Sequence, residues 1–257
     1  MTDRDKYYNK AKQEGYRSRS AYKLVQLDET AGLVQDGDTV VDLGAAPGGW
    51  LQVAAERVGA GGTVVGVDRQ RIDPLEDPAA TVECVRGDLT EADTQQEIVD
   101  RVGRADLVVS DMAPNMTGEY NLDHARSVHL ARQALAVARE VLDTDGDLVV
   151  KVFDGPDLDD LRDDIDEHFE YVRDVRPDAS RDESSELYLV GKGFLTAPVT
   201  EGEQFEVDIV DTGHEGDGIA KVEGFTVFVS GAEAGETVTV RIDDVKPRYA
   251  FAQPVEE

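Results

Sequence analysis

The sequence predicts an α/β protein with a mostly parallel sheet, an antiparallel hairpin at one sheet edge, and a small C-terminal all-β barrel. Two observations carry this prediction. Short β-branched runs alternate with helical patterns as far as Gly193, which is typical of a parallel sheet covered on both faces. Beyond Gly193 the segment has short alternating strands, many glycines and no helical period, which is typical of a closed barrel.

The strand candidates are short apolar runs, most of them rich in valine. In chain order they are DTVVDL, GTVVGVD, TVECV, DLVVSD, GDLVVKVF, FEYVRDV and ELYLVG. Helical patterns follow several of them, most clearly in GWLQVAAERV and LDHARSVHLARQALAVAREVL. The polar stretch RPDASRDESS joins the last two strands without a helix and predicts the antiparallel edge hairpin. We expect two domains, residues 1–195 and 196–257.

The charge of the chain is strongly acidic. It has 257 residues, with 26 basic and 55 acidic side chains and a formal charge of −29. Alone, this disfavours nucleic acid, because phosphates are bound by lysine and arginine. An acidic surface suits molar salt, where a Debye length of about 3 Å screens carboxylate repulsion. We therefore predict a halophilic protein, with an acidic protein of ordinary cytosol as the alternative.

Residues 1–26 depart from this acidity. They carry seven basic and three acidic side chains, with tyrosines interspersed in KYYNKAKQEGYRSRSAYK. Basic and aromatic side chains together favour a patch for RNA phosphates and bases. The alternative is an ordinary solvated tail followed by a first helix.

Composition also narrows the class of protein. Cys84 is the single cysteine, which excludes an intramolecular disulfide and a cysteine-based metal cluster, and we expect no metal. The N-terminus is polar, and no apolar run approaches the ~18 residues of a membrane span. We expect a soluble cytoplasmic protein.

The glycine-rich turn in VVDLGAAPGGW marks a ligand site at the end of the first predicted strand. It is not a P-loop, because Gly49 is followed by Trp50 and not by lysine, and it does not have the G-x-G-x-x-G spacing of dinucleotide sites. Pro47 also lacks a backbone donor. A pyrophosphate is therefore a poor ligand for this turn.

Four aspartates follow predicted strands and refine the ligand. Asp42, Asp68, Asp88 and Asp111 would ring the turn with negative charge, although any one of them alone is an ordinary turn or cap residue. A carboxylate at Asp68 can accept from ribose hydroxyls, and one at Asp88 from an adenine amine. Together they favour a cationic adenosine ligand, and S-adenosylmethionine has that chemistry.

Candidate catalytic residues lie near the ends of other elements. Asp111 ends one apolar strand, and Glu186 begins another. Lys151 lies within the apolar run LVVKVF, an unusual position because lysine is rarely buried unpaired. SRSAYKL places Lys23 in the first turns of a helix, with Ser18 or Ser20 as the N-cap.

Five segments in register, SRSAYKL, DLGAAPGGW, SDMAP, VVKVF and ELYLV, resemble the FtsJ-like ribose 2′-O-methyltransferases of large-subunit ribosomal RNA, over about residues 6–193. The resemblance implies a Rossmann-like methyltransferase sheet that uses S-adenosylmethionine. The catalytic tetrad it implies is Lys23, Asp111, Lys151 and Glu186. The cofactor-binding residues it implies are Gly48, Trp50, Asp68, Asp88 and Asp111.

The C-terminal segment resembles a TRAM domain, an RNA-binding barrel, through GHEGDGIAKVEGFTVFV and RYAFA. Bacterial members of the family typically lack this module, so the arrangement resembles an archaeal, haloarchaeal-type form. The implied activity is methyl transfer to a uridine 2′-hydroxyl of 23S ribosomal RNA within the 50S subunit, by a monomer. Open alternatives are transfer RNA or another RNA as substrate, a non-catalytic ribosome-assembly protein, and an NAD(P)-dependent oxidoreductase.

The resemblance assigns Lys151 as the base that removes the 2′-hydroxyl proton. Lysine is ordinarily protonated near neutrality, so this role requires the amine to lose its proton. A charged amine would instead orient the hydroxyl and stabilise a developing alkoxide. Both roles remain open.

Overall fold

A seven-stranded sheet forms the centre of the N-terminal unit in the computed structural model, which describes residues 4–180, 185–213 and 216–255. The chain divides into two compact units, Met1–Phe194 and Leu195–Glu257. The RPDASRDESS and GHEGDGIAKVEGFTVFV segments therefore lie partly outside the described residues, at positions 181–184 and 214–215.

The sheet has the order β3-β2-β1-β4-β5-β7-β6. Its strands are β1 (Thr39–Leu43), β2 (Thr63–Asp68), β3 (Thr81–Arg86), β4 (Ala105–Ser110), β5 (Leu142–Phe153), β6 (Phe169–Val175) and β7 (Glu186–Phe194). β1 to β5 pair in parallel, whereas β7 runs antiparallel to both β5 and β6. This confirms the predicted α/β class and the antiparallel edge.

Helices cover both faces of this sheet. They are α1 (Arg4–Glu14), α2 (Ala21–Ala31), α3 (Gly49–Val58), α4 (Ala92–Val102), α5 (Tyr120–Val141) and α6 (Leu158–Asp166). Apolar side chains of α2 and α3 form one core layer with β1, and those of α4, α5 and α6 form the layer on the other face. Val40 and Val41 are fully buried on opposite faces, so β1 needs continuous apolar sequence.

Local structure departs from expectation at two points. β5 begins at Leu142, directly after α5, and not at the predicted Gly146, because Leu142 already has an extended backbone. Ser20 occupies the N-cap position of α2, but its side chain makes no capping bond. The Ser20 and Ser18 hydroxyls are instead hydrogen-bonded to each other at 2.7 Å.

The second unit contains a closed five-stranded barrel, as predicted. Its strands are β8 (Gln204–Thr212), β9 (Gly218–Val222), β10 (Phe225–Val229), β11 (Thr237–Val245) and β12 (Tyr249–Pro254). Alternate side chains fill the interior, among them Val227, Val229, Ala250 and Ala252. Glu223 and Gly224, both with positive φ, form the two-residue turn between β9 and β10.

Candidate active site

The turn after β1 depends on glycine at two positions. Gly44 and Gly48 have φ values of 85° and 106°. A Cβ on Gly44 would lie 2.5 Å from the Met112 Cγ, and one on Gly48 would lie 2.7 Å from an Arg17 guanidinium nitrogen. The turn therefore needs glycine for its backbone conformation and for close packing.

A cleft of about 880 Å³ opens beside this turn. It lies at the carboxyl ends of β1, β2 and β4, where the strand order reverses and open α/β sheets bind their ligands. The residues that line it include Gly44, Ala46, Asp68, Asp88, Asp111, Met112, Pro114, Asn115, Arg126 and His129. Three of the predicted cofactor residues, Asp68, Asp88 and Asp111, thus share one cleft.

Asp68 and Asp88 are both held by backbone amides. Asp68 accepts hydrogen bonds from the N–H groups of Ala46 at 3.0 Å and Gln70 at 2.7 Å, so it also supports the glycine turn. Asp88 accepts from the Thr90 N–H at 3.0 Å and from the Thr90 hydroxyl at 2.8 Å. These hydrogen bonds hold the pKa of Asp88 below its ordinary value, so both oxygens act as acceptors near neutrality.

The other two predicted cofactor residues lie behind the turn. Gly48 is the N-cap of α3, and Trp50 lies in the first turn of that helix. The Trp50 indole is buried, donates to the Ser20 carbonyl at 2.7 Å, and packs 5.7 Å from the Tyr188 ring. Gly48 and Trp50 therefore place backbone amides at the start of α3, while the Trp50 side chain belongs to the core.

The four predicted catalytic side chains form one network, in which Lys151 and Lys23 meet at an Asp111 carboxylate oxygen and Glu186 joins through Lys23. The Lys151 amine donates to the Asp111 Oδ1 at 2.8 Å and also to the Asp111 backbone carbonyl. The Lys23 amine lies 3.7 Å from the same Oδ1 and 2.6 Å from the Glu186 Oε1. Lys23 and Lys151 are 9% and 8% exposed, so this network is largely excluded from solvent.

Tyr188 also belongs to this network, although its role was not predicted from the sequence. It is fully buried and donates its hydroxyl to the Asp111 Oδ1 at 2.6 Å. Burial, together with the charges of Asp111 and Glu186, raises the pKa of Tyr188 well above its ordinary value, so it stays a donor. Strand alternation could have indicated this residue, because it puts Tyr188 on the same face of β7 as Glu186. The contact with Asp111 also depends on the register that pairs Lys151 with Tyr188 across β5 and β7.

Asp111 is charged despite its burial. Burial pushes its pKa up, but the positive charges of Lys151 and Lys23 and the hydrogen bonds that it accepts hold its pKa below the usual value. One carboxylate thus fixes two lysine amines at the edge of the cleft.

His124 fixes the end of the strand that carries Lys151. The ring is buried; its Nδ1 lies 2.8 Å from the Phe153 carbonyl, and its Nε2 accepts the Asp157 N–H at 3.0 Å. This pattern requires the tautomer protonated on Nδ1. No motif in the sequence points to His124, because its role depends on the packing of α5 against β5.

Asp42 is the residue whose environment points most directly to a cationic ligand. Its carboxylate is 1% exposed, and neither oxygen has a hydrogen-bond partner among the described residues. Burial, and then the charges of Asp111 and Asp68, raise the pKa of Asp42 well above its ordinary value. A positive charge bound in the adjoining cleft would relieve this repulsion.

The sequence profile of the FtsJ-like methyltransferase family matches residues 16–194, the part of the chain that contains this cleft. The chain belongs to the FtsJ-like methyltransferase family. A TRAM domain profile matches residues 198–255, the barrel. Methyltransferase membership favours methyl transfer over the oxidoreductase alternative.

Full-length relatives agree with this family. Proteins from Haloarcula marismortui and Natronomonas pharaonis are 70% and 66% identical, and each match covers 100% of both chains. A protein from Methanosarcina mazei is 49% identical over 99% of this chain and 93% of its own. All three are named ribosomal RNA large subunit methyltransferase E. The haloarchaeal relatives agree with the predicted halophilic type.

A solved structure described as a ribosomal RNA methyltransferase from Plasmodium falciparum is also similar. It superposes with a TM-score of 0.62 at 26% identity, covering 71% of this chain and 100% of that chain. Within the described part of this chain, no helix combines the length and apolar character that crossing a membrane requires.

Replacing Asp42 by asparagine should stabilise the protein when no ligand is bound. Because the pKa of Asp42 is raised, the folded state binds the proton more tightly than the unfolded state does, and stability falls as pH rises above the ordinary aspartate value. Removing an unpaired buried charge is worth ~1–3 kcal/mol, so Asp42→Asn should melt about 2–10 °C higher at pH 8. The difference should shrink towards pH 4.

Thermal melts of the ligand-free protein at constant molar KCl measure this effect. Asp36→Asn changes an exposed loop residue and serves as the control, with a melting temperature close to that of the unchanged chain. A lower melting temperature for Asp42→Asn at pH 8 would contradict the assignment of a strained buried carboxylate.

Proposed function

We propose that this methyltransferase transfers a methyl group from S-adenosylmethionine to the 2′-hydroxyl of a uridine in large-subunit ribosomal RNA. The observation that carries the proposal is the convergence of Lys151 and Lys23 on Asp111 at the edge of an acidic cleft. The substrate class is supported by relatives named ribosomal RNA large subunit methyltransferase E. We expect the enzyme to act in the cytoplasm as a monomer without a metal ion.

The residues of the cleft fit S-adenosylmethionine. Asp111, which lines the cleft, and the buried Asp42 would supply negative charge for its sulfonium and ammonium groups. The Asp42 carboxylate, which has no hydrogen-bond partner among the described residues, is the observation that supports a cation here. Asp68 would accept from the ribose hydroxyls, and Asp88 from the adenine amine. Backbone amides at the start of α3, around Gly48 and Trp50, would bind the methionine carboxylate.

The cofactor supplies an activated methyl group, and the chain must supply alignment and a proton acceptor. A ribose 2′-hydroxyl is a poor nucleophile while it keeps its proton. In the proposed step Lys151 would first release its own proton to solvent, and its neutral amine would then accept the proton of the 2′-hydroxyl. The bound cofactor would supply the methyl group to that oxygen and would leave as a neutral thioether. Holding the hydroxyl in position for this transfer contributes several kcal/mol more.

The neighbouring residues position Lys151 for this step. Asp111 holds the amine through two oxygens, and Tyr188 donates to the same carboxylate. Lys23 is paired with Glu186 at 2.6 Å, so each neutralises the other beside the reacting groups. We assign Lys23, Asp111 and Glu186 to the catalytic set with Lys151.

We propose that residues 1–195 form the methyltransferase domain and residues 196–257 an RNA-binding barrel. In the first domain, α1 presents the exposed basic side chains Lys6, Lys10 and Lys12. Tyr8 on the same helix is 59% exposed, and the Lys10 amine lies 4.4 Å from the centre of the Tyr22 ring. This mixture of cations and aromatic rings suits RNA phosphates and bases.

Removing either adenosine-facing carboxylate should weaken cofactor binding. Asp88→Ala and Asp68→Ala each leave a polar partner unpaired, which costs ~1–3 kcal/mol, or roughly 5- to 150-fold in Kd. Isothermal titration with S-adenosylmethionine in molar KCl measures this loss. Asp100→Ala, on the exposed side of α4, is the control and should bind normally. Unchanged affinity in both test variants would remove the adenosine assignment.

The decisive test of the reaction is substitution of Lys151. Lys151→Ala removes the proposed acceptor, and general-base contributions are typically ~10²–10⁴-fold, so single-turnover methyl transfer should slow by at least about 10²-fold. Lys151→Arg keeps a positive charge that cannot accept a proton, and it should be nearly as inactive as alanine. Both variants should still bind S-adenosylmethionine, and calorimetry provides that control.

The substrate in this assay is immature large ribosomal subunits, with transfer RNA in a parallel reaction. Substantial activity in Lys151→Arg would mean that the lysine stabilises charge and is not the base. Near-normal turnover in Lys151→Ala would contradict the catalytic assignment. Methylation of transfer RNA alone by the unchanged enzyme would contradict the proposed substrate. Methylation of neither RNA would contradict the proposed activity.

A further inference from the structure

Three aromatic rings form a packed cluster on the outside of the C-terminal barrel. Phe228 lies on β10, and Tyr249 and Phe251 lie on β12. Their ring centres are 5.4–5.8 Å apart in all three pairs. Tyr249 is 37% exposed and Phe251 is 41% exposed. We call these three residues the aromatic platform.

Strand register explains how the platform forms. β10 and β12 are parallel neighbours, with Thr226 opposite Tyr249 and Phe228 opposite Phe251. Alternate residues such as Val227 and Ala250 point inward and already fill the core. The three rings therefore lie outside the interior of the barrel, with Tyr249 and Phe251 exposed and Phe228 half-buried.

The few cations of the barrel lie around this platform. Residues 195–257 contain 14 acidic side chains and four basic ones, Lys221, Arg241, Lys246 and Arg248. The backbones of three of the four lie close to Tyr249 in the chain or in strand register. Lys221 pairs with Thr226, the strand partner of Tyr249, and its amine donates to the Thr226 hydroxyl at 2.7 Å. The Lys246 N–H donates to the Tyr249 carbonyl at 2.8 Å, while its amine forms an ion pair with Asp244 at 2.9 Å, and Arg248 precedes Tyr249.

We propose that the aromatic platform binds a single-stranded segment of RNA by stacking two or three unpaired bases, with Lys221, Lys246 and Arg248 facing its phosphates. The proposal deepens the proposed function and rests on it for the class of ligand. Stacked bases need flat exposed rings, and their phosphates need cations at the rim. A duplex hides its base faces and cannot use such a surface.

In molar salt, base stacking contributes more to RNA affinity than attraction between charges does. At ~1 M ionic strength the Debye length is about 3 Å, so long-range attraction between RNA and a few cations is largely screened. An overall charge of −29 opposes RNA as well. Apolar contact with base faces is not screened by salt. Stacking on aromatic rings therefore suits an RNA-binding surface in molar salt, and this barrel exposes Tyr249 and Phe251 beside the half-buried Phe228.

Fluorescence anisotropy of a labelled 12-nucleotide single-stranded oligouridylate, titrated with the full-length protein in molar KCl, tests the proposal. Stacking is worth ~1–3 kcal/mol per base, so Tyr249→Ala and Phe251→Ala should each weaken binding by roughly 5- to 150-fold. Tyr249→Phe keeps the ring and should restore most of the affinity. Binding should depend weakly on KCl, with a log–log slope no steeper than about −2 for three phosphate contacts.

Matched controls separate stacking from loss of structure. Tyr171→Ala removes an exposed ring, 48% accessible, from β6 of the other unit and should leave the affinity unchanged. Thermal melting and circular dichroism show whether each variant is folded. The rescue by Tyr249→Phe keeps the test valid should an alanine variant lose stability.

Two outcomes would overturn the proposal. Unchanged oligouridylate binding in the folded alanine variants would show that the rings do not contact RNA and would point to a protein partner. If the alanine variants lose affinity for a labelled RNA duplex to the same extent, the platform does not bind RNA through the faces of unpaired bases. Single-turnover methyl transfer keeps the two ideas apart, because an unchanged protein that binds oligouridylate through the rings but methylates no RNA contradicts only the proposed function.

Discussion

The Asp111 carboxylate organises the candidate active site, because two lysines and a tyrosine meet on one of its oxygens. Two like charges as close as Lys23 and Lys151 would repel each other in a buried place without a shared anion. These groups come from elements that are distant in sequence, namely α2, the end of β4, β5 and β7. Their convergence therefore depends on the sheet order that puts β4 beside β5 and β5 beside β7. The fold brings Lys23 and Lys151 close together, and the negative charge of Asp111 stabilises this arrangement.

A second constraint is the excess of negative charge in the neighbouring cleft. Asp42 is repelled by the charges of Asp111 and Asp68 and has no hydrogen-bond partner among the described residues, which costs stability when no ligand is present. A fold that keeps such a group gains affinity for a cation in return. The same acidic character extends over the surface, where molar salt screens it. The chain thus combines a surface that is adapted to salt with a buried anionic site whose short distances salt screens much less.

Much of this arrangement is predictable because its signals are local. Asp111, Lys151 and Glu186 each lie within or at the end of an apolar strand, and the glycine turn follows a buried strand directly. The contribution of Tyr188 was not predictable in this way, because it depends on the register that pairs it with Lys151. Trp50 was assigned to the cofactor by resemblance, yet its indole bonds Ser20 in the core.

The barrel gives the same lesson. Its alternating strands are visible in the sequence, but the pairing of β10 with β12 is not, since the two segments are separated by β11. That pairing brings Phe228 against Phe251 and creates the exposed cluster of rings. Contacts between side chains that meet only through non-local strand pairing are therefore the ones that the sequence does not predict.

A crystal structure of the enzyme with a non-reactive S-adenosylmethionine analogue and a substrate RNA fragment would show directly whether Lys151 is placed to accept the proton. We expect the target 2′-oxygen to lie about 2.6–3.2 Å from the Lys151 amine, with Asp88 at the adenine amine. Asp111 should still contact both lysines. A 2′-oxygen bound by another side chain, with Lys151 facing only Asp111, would contradict the role of Lys151 as the base.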